Sequence, residues 1–418
     1  MLRSRAMSRP PRPALLAGGV AAALLITYLA LWAGVTRMEI GRSDFTSTYV
    51  GATLLRQGHH TQLYDESLQA PLHHRLIAPD GEGNLPFVNP PGAAVLALPV
   101  TPLDLTAAYR LWSLLQLILI GIGTFIAVRA APWPAGTHRA VRGAAWLLGF
   151  AGAGAANTLL LGQWDGFITL GIGAAYASWR RGHDATAGAW LGAVALVAKP
   201  HLFFGVAAFL LGRRDRRAIL GAVAALVAVG AASLLVVGPH GMVDFARISL
   251  GGTDRWPLRS LLGFTGLFGS WLGNAPAAHA LAAFCSVVAC IACAGLGARS
   301  RSEATMFEPA LAGTIALTLV ASPHLLGQDL ALLAPALAWT LAWAAARDRR
   351  AKQWPGLTGR RVLMLWVLLN AVAAVDFGND RAAPPGRLVP IVLALLGAVA
   401  WRATRSREPR VSRAAAAA

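Results

Sequence analysis

Apolar runs long enough to cross a bilayer alternate with short basic loops along most of the chain. The first, Ala14 to Val35, carries no charge and exceeds the roughly 20 helical residues that a bilayer needs. Others follow at Leu105 to Val128, Ala140 to Leu161, Trp164 to Trp179, Ala218 to Val237, Ala275 to Leu296, Ala304 to Ala321, Leu330 to Ala346, Val362 to Val375 and Leu388 to Trp401. Two further pieces are apolar but short. Gly92 to Val100, opened by Asn89-Pro90-Pro91 and closed by Thr101-Pro102, rises only about 14 Å as a helix, against a hydrocarbon core of about 30 Å. It reads as a re-entrant element. Ala185 to Leu211 is broken by Lys199-Pro200, and because proline ends a helix it reads as a hairpin with Lys199 at its tip. Between the first two spans the chain is polar, and its amphipathic pieces, Tyr49 to Arg56 and Ser67 to Leu76, suit helices lying on the membrane surface. The expected fold is an all-α polytopic membrane protein of about ten crossing helices, with re-entrant and short helices and an outer loop carrying surface helices.

Charge orients this pattern. With both short elements counted as non-crossing, Arg180-Arg181, Arg213 to Arg217, Arg299 with Arg301, Arg347 to Arg361 and Arg402 to Arg413 all fall on the side of Arg3, Arg5, Arg9 and Arg12. The inner loops then collect more than twice as many Lys and Arg as the outer ones, as basic loops facing the cytoplasm require. If either element crossed, the later loops would swap sides and the asymmetry would shrink. The reading is a multi-pass membrane protein with both termini cytoplasmic. Basic tails at 1–13 and 403–418 flank one membrane domain, 14–402, whose larger outer loops are 36–91 and 238–273. No small-x-small site precedes Thr36-Arg37-Met38, so the first span is expected to be an uncleaved anchor.

Composition agrees: 418 residues, 56% hydrophobic and only 13% charged, with mean hydropathy +0.54, do not make a soluble domain. The formal charge of +18 comes in bursts between apolar runs, which suits anionic lipid and no nucleic-acid partner. Cys285, Cys290 and Cys293 share one uncharged run and read as small core hydrophobes. His59-His60 and His73-His74 read as polar surface, so no metal site is expected. No strand and phosphate loop suggests a nucleotide, and no cofactor is expected.

The polar residues that escape the pattern gather on the outer side. They are Asp44, Tyr64-Asp65, Asn89, Gln163 with Asp165, Lys199 with His201, Arg255 with Arg259, and His324, Gln328 and Asp329. Ionisable groups at membrane depth are costly and normally line a cavity. Lys199, set between AVALVA and LFFGVAAFLL, needs an anionic partner.

Several of these residues fall in motifs: Asp44-Phe45, Tyr64-Asp65, FVNPP at Phe87 to Pro91, Leu111-Trp112, the Gly-Gln of LLLGQWDGF, the RRG-x-D-x-x-AG and KP between Arg180 and Pro200, and SPHLLGQDLALL at Ser322 to Leu333. Their order resembles glycosyltransferase family 87, polytopic enzymes of the GT-C type from bacterial inner membranes. The resemblance runs from about residue 13 to about residue 345. It implies transfer of mannose or a related hexose from a polyprenyl-phosphate sugar to a glycolipid or glycan acceptor at the extracytoplasmic face, with Asp44 as catalytic base. Two departures, Asn89 for the usual Tyr and Gln328 for Tyr or His, put the acceptor contacts of that corner in question.

The chemistry suits these residue types. An acceptor hydroxyl must lose a proton as it attacks the anomeric carbon, and a carboxylate that accepts it contributes typically 10²–10⁴-fold. Developing phosphate charge must meet a cation, for which Lys199, Arg255 and Arg259 are the candidates. Tyr49, Tyr64, Asp65, Asn89, Gln163, His201, His324, Gln328 and Asp329 are the candidate substrate contacts. With no second carboxylate marked as nucleophile, inversion by direct displacement is expected, with retention left open. A transporter or lipid flippase would show paired broken helices, where this chain has one clear break. A polysaccharide polymerase or ligase would carry a large late outer loop rich in Arg and His, which Gly238 to Gly273 meets in part.

Overall fold

The computed structural model describes residues 10–78, 85–251, 258, 261–348, 355–375 and 388–405, and the described residues are helical with no strand. Helix α1 (Arg12–Gly34) is followed by a short α2 (Arg37–Gly41), then α3 (Asp44–Arg56), α4 (Glu66–Ile77) and α5 (Pro91–Ala97). Next come α6 (Leu105–Ala130), α7 (Arg139–Phe150), α8 (Ala153–Leu161), α9 (Asp165–Arg180), α10 (Asp184–Val197), α11 (Phe204–Arg213) and α12 (Arg216–Gly251). The chain continues through α13 (Phe264–Leu272), α14 (Pro276–Ser302), α15 (Phe307–Ala321), α16 (Leu333–Arg347), α17 (Leu357–Val375) and α18 (Leu388–Ala403). Among the described residues seven helices are long and apolar enough to cross a membrane, or eight if α7 and α8, bent by 49°, form one span. The expected crossings at α9 and α18 are shorter apolar helices, of 16 residues each.

Side-chain contacts give the path of the chain. The start of α1 packs on Val141 and Ala144 of α7, and its far end is tied to α6 by Arg110, which donates 2.7 Å to the Val35 carbonyl. α6 and α9 run parallel and almost touch: a Cβ at Gly123 would lie 2.6 Å from the Thr169 carbonyl oxygen, and one at Gly166 2.3 Å from that of Gln116. Small residues at such seams let backbones approach where no hydrophobic effect drives helices together. At the far end Arg180 pairs with Glu308 at 3.4 Å, Arg213 reaches Ser300, and Arg299 lies over the Trp401 ring. Thus α1, α6, the α7–α8 pair, α9, α12, α14, α15, α16, α17 and α18 run alternately between an Asp44 end and an Arg180 end.

The α10–α11 segment turns back. Trp179 at the close of α9 donates 3.3 Å to Asp215 just past α11, so both feet of this hairpin stand at the Arg180 end and its tip is Lys199. The arms diverge, α10 lying along α12 and α9, α11 along α14 and α15. Outer faces of the bundle stay apolar. α1 exposes Leu16 (71%) and Ile26 (68%), and α12 exposes Leu235 (88%), which suits lipid and not water.

Two expectations are corrected. Tyr49 to Arg56 is no surface helix: α3 starts at Asp44 and is buried almost throughout from Phe45 to Leu55, packed on α4, α5 and α6. The apolar run of α12 does not stop at Val237 either. It kinks at Gly238 (φ 68°) and continues as helix to Gly251, so the segment expected as the loop 238–273 begins as helix. That continuation packs Phe245 on Tyr64, ring centroids 5.8 Å apart, joining the segment after α12 to the one after α3 at the Asp44 end.

Candidate active site

Asp44 occupies the first turn of α3, where the helix N-terminus favours negative charge. Its Oδ2 accepts a hydrogen bond from Gln163 Nε2. Gln163 reaches it because α8 ends on Gly162 in the left-handed conformation, φ 65°, a region that only glycine enters without strain. A Cβ there would also lie 2.6 Å from Phe45 Cβ, so Phe45 is pressed onto the turn that carries Gln163. Three aromatics clamp the same turn. Trp112 donates to the Gly162 carbonyl at 3.0 Å, Tyr109 to Leu160 at 2.7 Å, and Trp164 to Thr48 Oγ1 at 3.1 Å.

Beside Asp44 lies a second cluster. Lys199 Nζ is 3.1 Å from Asp165 Oδ2 and 2.6 Å from Asp329 Oδ1, all three buried. Asp329 also accepts the Leu326 N–H at 2.7 Å. The anionic partner that the flanks of Lys199 demand is therefore supplied within the chain, by two carboxylates. The two clusters feel each other. Burial pushes the Asp44 carboxyl above its ordinary range, the Gln163 hydrogen bond and the Lys199 charge pull it back, and the Asp329 charge adds to the rise.

Histidines close one side: the rings of His201 and His324 stand edge to face with centroids 6.1 Å apart. Burial holds His324 below the ordinary imidazole range, so it is neutral near pH 7. Gln328 is buried, and its Nε2, His201 Nε2 and Asn157 Oδ1 are enclosed without a hydrogen-bond partner among the described residues. Enclosed polar atoms of this kind are normally met by water or by a bound molecule. The 322–326 loop that carries His324 is anchored to the segment before α13, Leu262 N–H donating 2.8 Å to the Leu325 carbonyl.

The structure thus brings together Asp44, Gln163, Lys199, His201, His324, Gln328 and Asp329. It engages the other candidates elsewhere. Tyr49 donates 2.6 Å to the Leu103 carbonyl, and Tyr64 donates 2.8 Å to the Asn89 carbonyl while stacking on Phe87. Asp65 caps α4, accepting the Ser67 N–H at 2.8 Å. Arg255 and Arg259 lie outside the described residues. Among the described residues no group of His, Cys, Asp and Glu could hold a metal ion. Sequence reasoning passed over Gly162, Trp164, Asn157 and Thr48, which act by shape and by single hydrogen bonds to distant segments. LLLGQWDGF held the signal for the first two.

Compared with known protein families, residues 87–323 match glycosyltransferase family 87, more than half of the chain. No curated protein and no solved structure matches it.

Proposed function

The chain belongs to glycosyltransferase family 87 and is a membrane glycosyltransferase, and from that premise we propose that it transfers a hexose, mannose or similar, from a polyprenyl-phosphate sugar to a glycolipid or glycan acceptor at the extracytoplasmic face. Asp44 is the general base. The observation that carries this reading is a carboxylate at a helix N-terminus, with no ion pair among the described residues, held by one amide beside enclosed polar atoms. In one displacement the acceptor hydroxyl gives its proton to Asp44, its oxygen bonds to the anomeric carbon, and the carbon–oxygen bond to phosphate breaks. Polyprenyl phosphate leaves.

Lys199 would have to give up two carboxylates to meet that phosphate, so the contact passes to Arg255 and Arg259, whose neighbours Leu258, Leu261 and Leu262 are buried. Lys199 then acts through Asp165 and Asp329 as a positioning residue. Gln163, His201, His324, Gln328 and Asp329 surround the sugar and acceptor.

Asp44→Asn tests the reading. The amide keeps size and hydrogen-bonding shape but cannot take a proton, so transfer from polyprenyl-phosphate mannose should fall at least about 10²-fold, while donor binding and the melting temperature hold. Transfer within a few-fold of wild type removes Asp44 from the mechanism.

A further inference from the structure

The Arg180 end carries a feature that sugar transfer does not use. α11 and α14 run side by side, so close that a Cβ at Gly212 would lie 1.9 Å from the Ala294 carbonyl oxygen. They stay in contact to the end of α11, where a Cβ at Gly297 would lie 2.1 Å from the Phe209 carbonyl oxygen, and beside this seam lies an open cleft of about 540 Å³ lined by Leu211, Gly212, Arg214, Ala298, Arg301 and Ser302. Its charges are all of one sign. Arg214 and Arg301 are exposed and make no ion pair among the described residues. The acid next in sequence, Asp215, is occupied by Arg213 at 3.4 Å, Trp179 at 3.3 Å and the Ala218 N–H at 3.1 Å.

Arg214 is itself unusual: it closes α11 in the left-handed region, φ 54°, as no other non-glycine residue does among those described. Helix ends of this form normally take glycine, so an arginine here keeps a strained backbone and gains a charge at the cavity mouth. The same two helices also present uncovered apolar faces. Phe204 (58%) and Leu211 (64%) are exposed on α11, as are Phe284 (67%) and Ile291 (66%) on α14. An apolar strip that ends at two guanidinium groups with no ion pair among the described residues matches an amphiphile with an anionic head.

We propose that the α11–α14 cleft binds the phosphate head group of an anionic phospholipid, with Arg214 and Arg301 as its ligands and the acyl chains along the outer faces of the two helices. Guanidinium groups suit phosphate oxygens because their fixed forks can donate two hydrogen bonds at once, and basic clefts between membrane helices are the usual form of such sites.

The test is thermal unfolding of the purified full chain in neutral detergent, titrated with phosphatidylglycerol and, in parallel, with phosphatidylcholine or inorganic phosphate. The variant combines Arg214→Gly with Arg301→Gln. Glycine suits the backbone at 214, so without lipid it should melt at the wild-type temperature or above. Phosphatidylglycerol should raise the wild-type melting temperature saturably, with a midpoint at least tenfold higher in the variant, and phosphatidylcholine should have no such effect. Native mass spectrometry should show one retained phosphatidylglycerol on wild type and its loss in Arg301→Gln alone, a reading independent of the double variant's folding. Arg360→Gln, an exposed arginine elsewhere, should leave the midpoint in place. An unchanged midpoint in the double variant, or an equal loss in Arg360→Gln, overturns the site. A rise with inorganic phosphate equal to that with the lipid overturns the lipid assignment.

Discussion

Two acidic sites lie side by side at one end of this bundle, and the structure treats them in opposite ways. Asp165 and Asp329 are sealed from solvent and share the Lys199 ammonium. Asp44 is held by a neutral amide at a helix end, and it feels the Lys199 charge without pairing with it among the described residues. A buried carboxyl in direct contact with a cation is tied to that partner and serves the fold, whereas one that pairs with no cation stays open to a substrate proton. On the proposed function, that difference is what would separate a strut from a base.

Removing the cation should break the comparison most sharply. Lys199→Met leaves two buried carboxylates without a counter-charge, a loss of about 3–5 kcal/mol, read as a steep fall in melting temperature. Restoring neutrality with Asp165→Asn and Asp329→Asn in the same chain should recover much of it. Asp44→Asn should not move the melting temperature at all. Equal stability of Lys199→Met and wild type would mean that the triad is no strut.

Gly162→Ala comes next. The added methyl meets Phe45 Cβ at 2.6 Å and holds a left-handed backbone, which together should cost about 1–3 kcal/mol and displace Gln163 from Asp44, so both stability and transfer fall. A smaller effect, confined to pH, is expected of Gln163→Leu. The amide favours the charged carboxyl, so its loss raises the Asp44 pKa further, and the base form then appears only at higher pH. The acidic limb of the rate profile should move up, with transfer recovering at alkaline pH; a limb that stays in place would free Asp44 from Gln163. The smallest effect belongs to Asp65. Asp65→Ala should cost about 1 kcal/mol as a lost helix cap, while Asp65→Asn should be silent in both melting and transfer, because asparagine caps as well as aspartate.

Much of this fold was legible because a bilayer imposes a single period and a single length on apolar runs. The spans, the short element at Gly92 and the hairpin at Lys199 followed from that alone. Legibility stopped where a neighbour decides. Tyr49 to Arg56 carries enough polar residues to suggest a surface, yet α3 is buried because α4, α5 and α6 close over it. Gly238 looks like the end of a span, and only the kinked backbone shows the helix resuming. In the site, the need of Lys199 for an anion could be read locally, but its partners lie 34 and 130 positions away. Gly162 stood in a quoted motif, and its purpose became visible only once Phe45 was seen against it.

The same separations set an order in time. As the chain is made from its N-terminus, Lys199 follows Asp165 after 34 residues, so a one-to-one pair without net charge can form while the later helices are still unmade. Such a pair is the least costly way to bring an ammonium into hydrocarbon. Asp329 arrives last, with the turn that opens α16, and brings a second carboxyl to the same ammonium. The site is thus completed late in biogenesis, when a later segment docks on a pair that was already formed.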